Sequence, residues 1–269
     1  MRIAVLATVV AFASSLAHAV PSSMEDGYRQ MYNLDFEGAH RTFEQWQREH
    51  PADPLGPVSD AAAYLFGEFD RLHILQSQFF VDDDSFRGMK KPAADPVVKQ
   101  RFERDLAKGR QLADDILRRS PGDKDATFAS VLRMGLRADY LSLIEDRNLQ
   151  ALSEMKTGRA LAEKLLAMDP HYYDAYLAVG VENYMLSLKP APARWVLRLT
   201  GARTDKEEGI QKLTLTAQNG HYLQPFARLL LAVADLRDKN VEAARQLLGG
   251  LAREFPHNHL YAQELAKLR

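Results

Sequence analysis

Residues 109–126 read GRQLADDILRRSPGDKDA, and residues 158–175 read GRALAEKLLAMDPHYYDA. Eight of these eighteen aligned positions are identical, and both segments carry a helical pattern that ends at a proline. Residues 244–256 (ARQLLGGLAREFP) and 39–51 (AHRTFEQWQREHP) repeat the pattern in shorter form. Such internal similarity is the signature of stacked helix pairs. The chain is therefore predicted to be all-α and to present an extended binding surface, as helical repeat proteins do.

Spacing of apolar residues by three and four positions supports helices along most of the chain, with breaks at proline, glycine, asparagine and aspartate clusters. Helices are predicted near residues 25–34, 37–49, 58–80, 96–119, 124–145, 149–168, 173–188, 205–219, 223–237, 241–254 and 259–268. The chain contains few strand signals. One helical domain covering residues 20–269 is predicted.

The repeated positions resemble the tetratricopeptide repeat (TPR). In that family a small residue in the second helix of each pair is followed at fixed spacing by a large residue, a small or apolar one, and a proline. Two copies here match that order: Ala39, Phe43, Trp46 and Pro51, and Ala244, Leu248, Leu251 and Pro256. The resemblance implies a TPR-like right-handed α-solenoid of antiparallel helix pairs, from a divergent exported bacterial family of unknown function. Proline separations of 70, 49 and 86 residues depart from the family's period, which predicts inserts near residues 81–96 and 189–205.

The first nineteen residues, MRIAVLATVVAFASSLAHA, have the parts of a secretory signal peptide. Arg2 is the positive start, an apolar stretch follows, and an A-x-A site ends at Ala19. Cleavage is predicted between Ala19 and Val20, which places the mature protein in the periplasm or outside the cell. The chain contains no cysteine, so the exported protein is expected to be held by its core without disulfides.

Composition and motifs argue against several functional classes. The net charge is -1, so nucleic acid is not an expected partner. The chain has no phosphate-binding glycine loop, no G-x-S-x-G and no H-E-x-x-H, which predicts a protein that is not an enzyme and needs no cofactor. The aspartates at 82–84 lack the spacing of a calcium loop, and His257 with His259 provide too few ligands for zinc. No metal site is predicted.

Two groups of polar residues are candidate binding residues. Arg137 and Asp139 lie on one predicted helix, where the charges could serve acid–base chemistry or form salt bridges along the helix; the sequence favours salt bridges. Glu182, Tyr184 and Lys189 lie on or after another predicted helix. The resemblance places mostly apolar first-helix residues along an inner groove, which would either bind a peptide or be covered by the inserts. These groove positions are Leu55, Val58, Ala62, Leu65, Asp125, Phe128, Leu132, Asp174, Leu177, Val181 and Tyr184.

The insert near 189–205 holds the most distinctive local sequence, KPAPARWVLRLTG. Its prolines end the preceding helix at Leu188, and a short amphipathic turn follows with Arg194 and Arg198 beside Trp195. This turn could be a contact surface for a partner or a membrane. It could also plug the repeat and bury Trp195, and the sequence favours burial.

Three functional hypotheses follow. The first is an exported scaffold that binds a peptide or an envelope protein in a helical groove. The alternative is a small-ligand-binding protein or hydrolase-type enzyme that uses a pocket near Asp139, Glu182, Tyr184 and Trp195. The third is a peripheral envelope protein that makes a weak membrane-surface contact through Trp195 and its neighbouring arginines. A deep pocket with converging polar groups would favour the alternative, and an open groove would favour the scaffold.

Overall fold

The computed structural model describes residues 23–75 and 93–268, which form twelve α-helices and one short 3-10 helix and contain no strand. The predicted all-α class is therefore confirmed for this part of the chain. The helices are α1 (Met24–Tyr32), α2 (Phe36–Glu49), α3 (Leu55–Arg71), α4 (Pro96–Arg119), α5 (Lys124–Leu143), α6 (Asn148–Met168), α7 (Tyr176–Ser187), α8 (Ala191–Leu199), α9 (Lys206–Asn219), α10 (Gln224–Arg237), α11 (Val241–Glu254) and α12 (His259–Lys267); the 3-10 helix is Tyr173–Ala175. The predicted signal peptide and the aspartates at 82–84 lie outside the described residues.

Half of the helices begin where a short polar side chain accepts a backbone N–H of the first turn. Ser23 and Asp26 form a reciprocal capping box at the start of α1. Asp123 accepts the N–H of Ala126 at 2.9 Å at the start of α5. Because the first N–H groups of a helix have no partner within it, these caps fix where the helix starts. The remaining side-chain caps are Asp35, Asp95, Asp205 and Asn258.

The end of α3 differs from the sequence prediction, which ran the helix to residue 80. The helix ends at Arg71, and His73 adopts a left-handed backbone with φ 58°. The N–H of Ile74 then donates to the carbonyl oxygen of Phe69 at 2.7 Å. This hydrogen bond closes a Schellman turn, a helix ending that usually has glycine at the left-handed position. A histidine in that position leaves no stop signal in the sequence.

Apart from α8, the described helices that follow one another in sequence pack together, and small residues lie where they come closest. A Cβ on Gly109 of α4 would lie 2.4 Å from a side-chain methyl of Val58 in α3, and one on Gly209 of α9 would lie 2.7 Å from the backbone nitrogen of Tyr184 in α7. The alanines of the repeated pattern are all buried: Ala39, Ala113, Ala162 and Ala244. The repeated small positions therefore serve close helix packing, since any larger side chain would separate the helices.

The first helix contacts the C-terminal part of the chain. The ring of Tyr28 stacks on Tyr222 with centroids 4.9 Å apart, and the hydroxyl of Tyr32 donates to the carbonyl oxygen of Tyr222 at 2.9 Å. The amide of Asn258 donates to the carbonyl oxygen of Tyr32, also at 2.9 Å. Glu25 and His221 add a contact at 2.6 Å between a carboxylate oxygen and a ring nitrogen. These contacts join the two ends of the helical array.

The positions expected to line an open apolar groove are mostly covered by the protein itself. Phe128 packs against the ring of Tyr172, and Tyr184 packs against α9. The buried groove positions are Leu55, Val58, Ala62, Leu65, Phe128, Asp174 and Tyr184; Leu132, Leu177 and Val181 are partly buried, and Asp125 is exposed. Neighbouring helices therefore fill the groove positions, and peptide recognition there loses its main support.

Candidate functional site

The four residues expected to surround a pocket face different parts of the molecule. Glu182 points to α6, where it pairs with Arg159, whereas Tyr184 packs against Gly209 of α9. Trp195 lies on the surface with 64% of its area exposed. Asp139 lies on α5 and has no hydrogen bond to any of these residues. The structure therefore does not bring the predicted pocket residues together in the described part of the chain.

Glu182 anchors the segment that follows α8. Its side chain is only 1% exposed and accepts a hydrogen bond from Nε of Arg159 at 3.0 Å. Its other carboxylate oxygen accepts the backbone N–H of Arg203 at 3.1 Å. The neighbouring Asn183, fully buried, accepts the N–H of Asp205 at 3.2 Å. Both partners of Glu182 are thus protein groups, which assigns it a positioning role rather than ligand contact.

Arg137 and Lys189 line neither of two hollows found among the described residues. Nε of Arg137 donates to Glu154 of α6 at 3.0 Å, so the salt bridge runs between α5 and α6. The expectation of a salt bridge along α5 itself is wrong for this residue, because its side chain extends across to the next helix. Lys189 is exposed at the turn before α8.

Asp139 has the most perturbed carboxyl group of the predicted site residues. It is half-buried on α5 and makes no hydrogen bond or ion pair within the described residues. Loss of hydration in this environment raises its pKa from 3.8 to about 7. A carboxyl group with this pKa could exchange a proton at neutral pH. Acid–base chemistry also needs a second positioned group beside it, and the described residues supply no hydrogen-bonded partner.

A buried acidic cluster between α2, α3 and α4 was not predicted from the sequence. Nδ1 of His40 lies 2.5 Å from a carboxylate oxygen of the buried Asp60, and the His40 ring packs against Tyr64 with centroids 3.9 Å apart. Burial, and then the nearby charge of Asp60, raise the pKa of Asp105, which Arg104 contacts at 2.9 and 3.1 Å. His40 and Asp60 are twenty positions apart on successive helices, so no local motif reveals them. Their contacts account for a structural role in which a short hydrogen bond joins α2 to α3.

The clearest surface feature is α8, a nine-residue helix with no buried residue. Pro192, Trp195, Val196 and Leu199 recur at helical spacing and all face solvent; the last three are 64%, 54% and 68% exposed. The expectation that Trp195 is buried is therefore wrong. Helices normally turn such an apolar face toward the core, so α8 presents the side that other helices hide.

The opposite side of α8 faces the protein body through its arginines. Nη1 of Arg194 donates to the carbonyl oxygen of Ser187 at 3.0 Å, and Nε of Arg198 donates to the hydroxyl of Thr204 at 2.6 Å. Thr200 directly follows α8, and its carbonyl oxygen accepts a hydrogen bond from Nζ of Lys156 of α6 at 2.5 Å. A guanidinium group can donate hydrogen bonds to neutral carbonyl and hydroxyl oxygens. These bonds therefore tie the arginine side of α8 to the protein body. The apolar side is left outward as a result.

The α8 segment is also basic. Residues 188–204 contain no aspartate or glutamate, and their four cations are Lys189, Arg194, Arg198 and Arg203. None of the four forms an ion pair within the part of the chain that the structure describes. We call the apolar face together with these cations the α8 surface. Arg203 was missed at the sequence level because it lies beyond Gly201, outside the helical pattern.

Other possible sites are weaker. A hollow of about 360 Å³ is lined by residues that include His73 and His259. Among residues 23–75 and 93–268, no group of three or more histidine, aspartate or glutamate side chains is arranged to hold a metal ion. No helix within these ranges is both long and apolar enough to span a bilayer.

Comparison of the sequence with known protein families and with curated proteins finds no significant match. The resemblance to tetratricopeptide repeats thus rests on the repeated residues and on their close packing. Among the described features, the α8 surface remains the strongest indication of what the protein does.

Proposed function

We propose that the protein is an exported interaction scaffold, a TPR-like right-handed α-solenoid of antiparallel helix pairs, which binds an envelope component through the α8 surface. The outward apolar face of α8 carries the proposal. Three of the eight large apolar side chains that are most exposed lie on this one short helix. Clustered exposed apolar residues mark interaction sites more often than scattered ones do.

The way in which α8 is held supports a contact role. Glu182 and Asn183 fix the backbone after the helix, and Arg194 ties its first turn to the end of α7. A contact surface that is fixed before binding loses less conformational entropy when it binds. Trp195 lies at the centre of the exposed face, and tryptophan is one of the residue types that dominate binding hot spots.

The small-ligand or hydrolase-type alternative has less support. It needs polar groups that converge on one space, and Glu182, Tyr184 and Trp195 point to different neighbours. Groove recognition of a peptide also has less support, since buried side chains occupy the groove positions. The α8 surface therefore replaces the groove as the proposed point of contact.

The test is co-sedimentation of the purified protein with envelope membranes from a bacterial host. A variant carrying Trp195→Asp and Leu199→Asp should lose binding and keep its melting temperature, because both side chains are exposed. Leu149→Asp is the matched control, since Leu149 is 86% exposed on another helix. Equal binding by wild type and the double variant would remove α8 as the contact surface.

A further inference from the structure

We infer that the α8 surface binds the face of a lipid bilayer that contains anionic phospholipid. The inference rests on the proposed function, because it assumes that the α8 surface is the contact surface. The proposed function leaves open whether the envelope component is a protein or a lipid. The inference names it as lipid. Three observations favour a bilayer: the size of the apolar face, the arrangement of its residues in one stripe, and the charges around it.

The apolar face is small for a stable protein interface. Since a large aromatic side chain covers about 150–250 Å², the exposed parts of Trp195, Val196 and Leu199 together present on the order of 300–400 Å². A stable protein interface buries roughly 800 Å² on each partner. The nine residues of α8 span only about 13 Å at 1.5 Å per residue. A bilayer surface needs no matching partner shape and can accept a single short helix.

The apolar residues also have the arrangement of an interfacial helix. They form one stripe, at positions 192, 195, 196 and 199, and all four residues are exposed. An amphipathic helix that lies in the plane of a membrane buries such a stripe at the boundary between headgroups and acyl chains. Tryptophan prefers that depth because its ring is apolar and its N–H is polar. Trp195 at the centre of the stripe fits this position.

The cations are placed to meet headgroups. Lys189 precedes α8 and Arg203 follows it in the sequence, and both side chains are exposed. Arg194 and Arg198 lie on the side of α8 opposite the stripe, where they donate to Ser187 and Thr204, and Arg198 remains exposed. With no acidic residue among residues 188–204, this segment is attracted to a negative surface although the whole protein is nearly neutral. Each basic residue close to an anionic membrane strengthens binding about fivefold.

Vesicle binding tests the inference directly. The purified protein is titrated with vesicles of phosphatidylcholine alone and with vesicles that contain about 30% phosphatidylglycerol, and Trp fluorescence and flotation are measured. We expect a blue shift and co-flotation only with the anionic vesicles, weakened by high salt. The double variant Lys189→Gln/Arg203→Gln should lower the partition coefficient about 25-fold, since each cation contributes about fivefold. Neither side chain makes a hydrogen bond or ion pair among the described residues, so the fold should be unaffected.

The matched control is Arg48→Gln/Arg253→Gln, which makes the same change in net charge at two exposed positions outside the α8 surface. It should bind anionic vesicles like wild type; an equal loss would show general charge attraction and overturn the inference. Absence of wild-type binding to anionic vesicles would also overturn it. If envelope binding still depended on Trp195 and were abolished by protease treatment of the membranes, the partner would be a protein, and the proposed function would stand. If neither binding depended on Trp195, both proposals would fail.

Discussion

Removal of the Glu182 carboxylate tests whether this residue anchors the α8 segment or binds a ligand. The side chain makes a charge-assisted hydrogen bond to Arg159, a type of interaction that contributes about 1.5–3 kcal/mol, and a backbone hydrogen bond to Arg203, which contributes about 1 kcal/mol. Their sum agrees with the roughly 3–5 kcal/mol lost when one partner of a buried ion pair is removed. Arg159 keeps its second contact, Glu163 at 2.8 Å, so we expect the lower end. Glu182→Ala should therefore destabilise the protein by about 3 kcal/mol.

Urea denaturation followed by circular dichroism measures this loss. Glu163→Gln is the matched control, because Glu163 pairs with the same Arg159 but its side chain is 43% exposed; it should cost less than about 0.5 kcal/mol. A double-mutant cycle of Glu182→Ala with Arg159→Met should give a coupling energy of about 2 kcal/mol.

Hydrogen exchange adds a local measurement. The amide of Arg203 should exchange faster in Glu182→Ala, since it loses its acceptor, while amides in α5 change only with global stability. A loss below about 1 kcal/mol with no coupling to Arg159 would refute the anchoring role. Glu182 would then again be a candidate for contact with a ligand.

Three further predictions follow from burial and charge. Trp195→Ala should change stability by less than about 0.5 kcal/mol, because an exposed side chain does not contribute the roughly 3–5 kcal/mol of a core aromatic. In a Trp46→Phe background, the Trp195 emission should be red-shifted and readily quenched by iodide. A blue-shifted emission that iodide does not quench would contradict the exposure of Trp195. Asp139→Asn should stabilise the protein by about 1–2 kcal/mol near pH 8 and by roughly a third of that near pH 5, allowing for partial exposure. The folded pKa of about 7 lies above 3.8, so wild-type stability falls as pH rises between these values, and at pH 5 only the first part of that loss has occurred. Denaturant midpoints at the two pH values measure this, and a gain that does not depend on pH would count against it. Ala162→Leu should cost about 1–3 kcal/mol by overpacking, whereas the exposed Ala160→Leu should be neutral; equal melting temperatures for both variants would place the repeat register in error.

The sequence alone determined the local features of this protein. Spacing of apolar residues predicted the helices, because one buried face per helix imposes a three- and four-residue period. The repeated alanines and glycines predicted close packing, and Ala113 and Ala162 are buried as expected. Such features depend on residues within one or two turns of each other, so a short stretch of sequence contains all the information they need.

The insert near 189–205 shows where local information ends. The sequence revealed an amphipathic segment with Trp195 on one side and Arg194 and Arg198 on the other. It did not reveal which side meets the protein body, because that depends on acceptors at Ser187 and Thr204 and on the partners of Glu182. The arginine side is held inward, and the apolar side faces solvent. The groups around a short helix decide which of its sides faces solvent. The spacing of residues within the helix does not contain that information.

Tertiary structure also decided that the groove positions are filled and that α1 contacts the C-terminal part of the chain. Tyr32 bonds to Tyr222 across 190 positions, and Asn258 bonds to Tyr32 across 226. Each is a single contact between loops or helix ends, and no repeated sequence pattern predicts it. These contacts form only after the helices stack and bring distant loops together. The sequence therefore determined which helices form and how closely neighbours pack, whereas the folded array alone decided which surface remains free to bind.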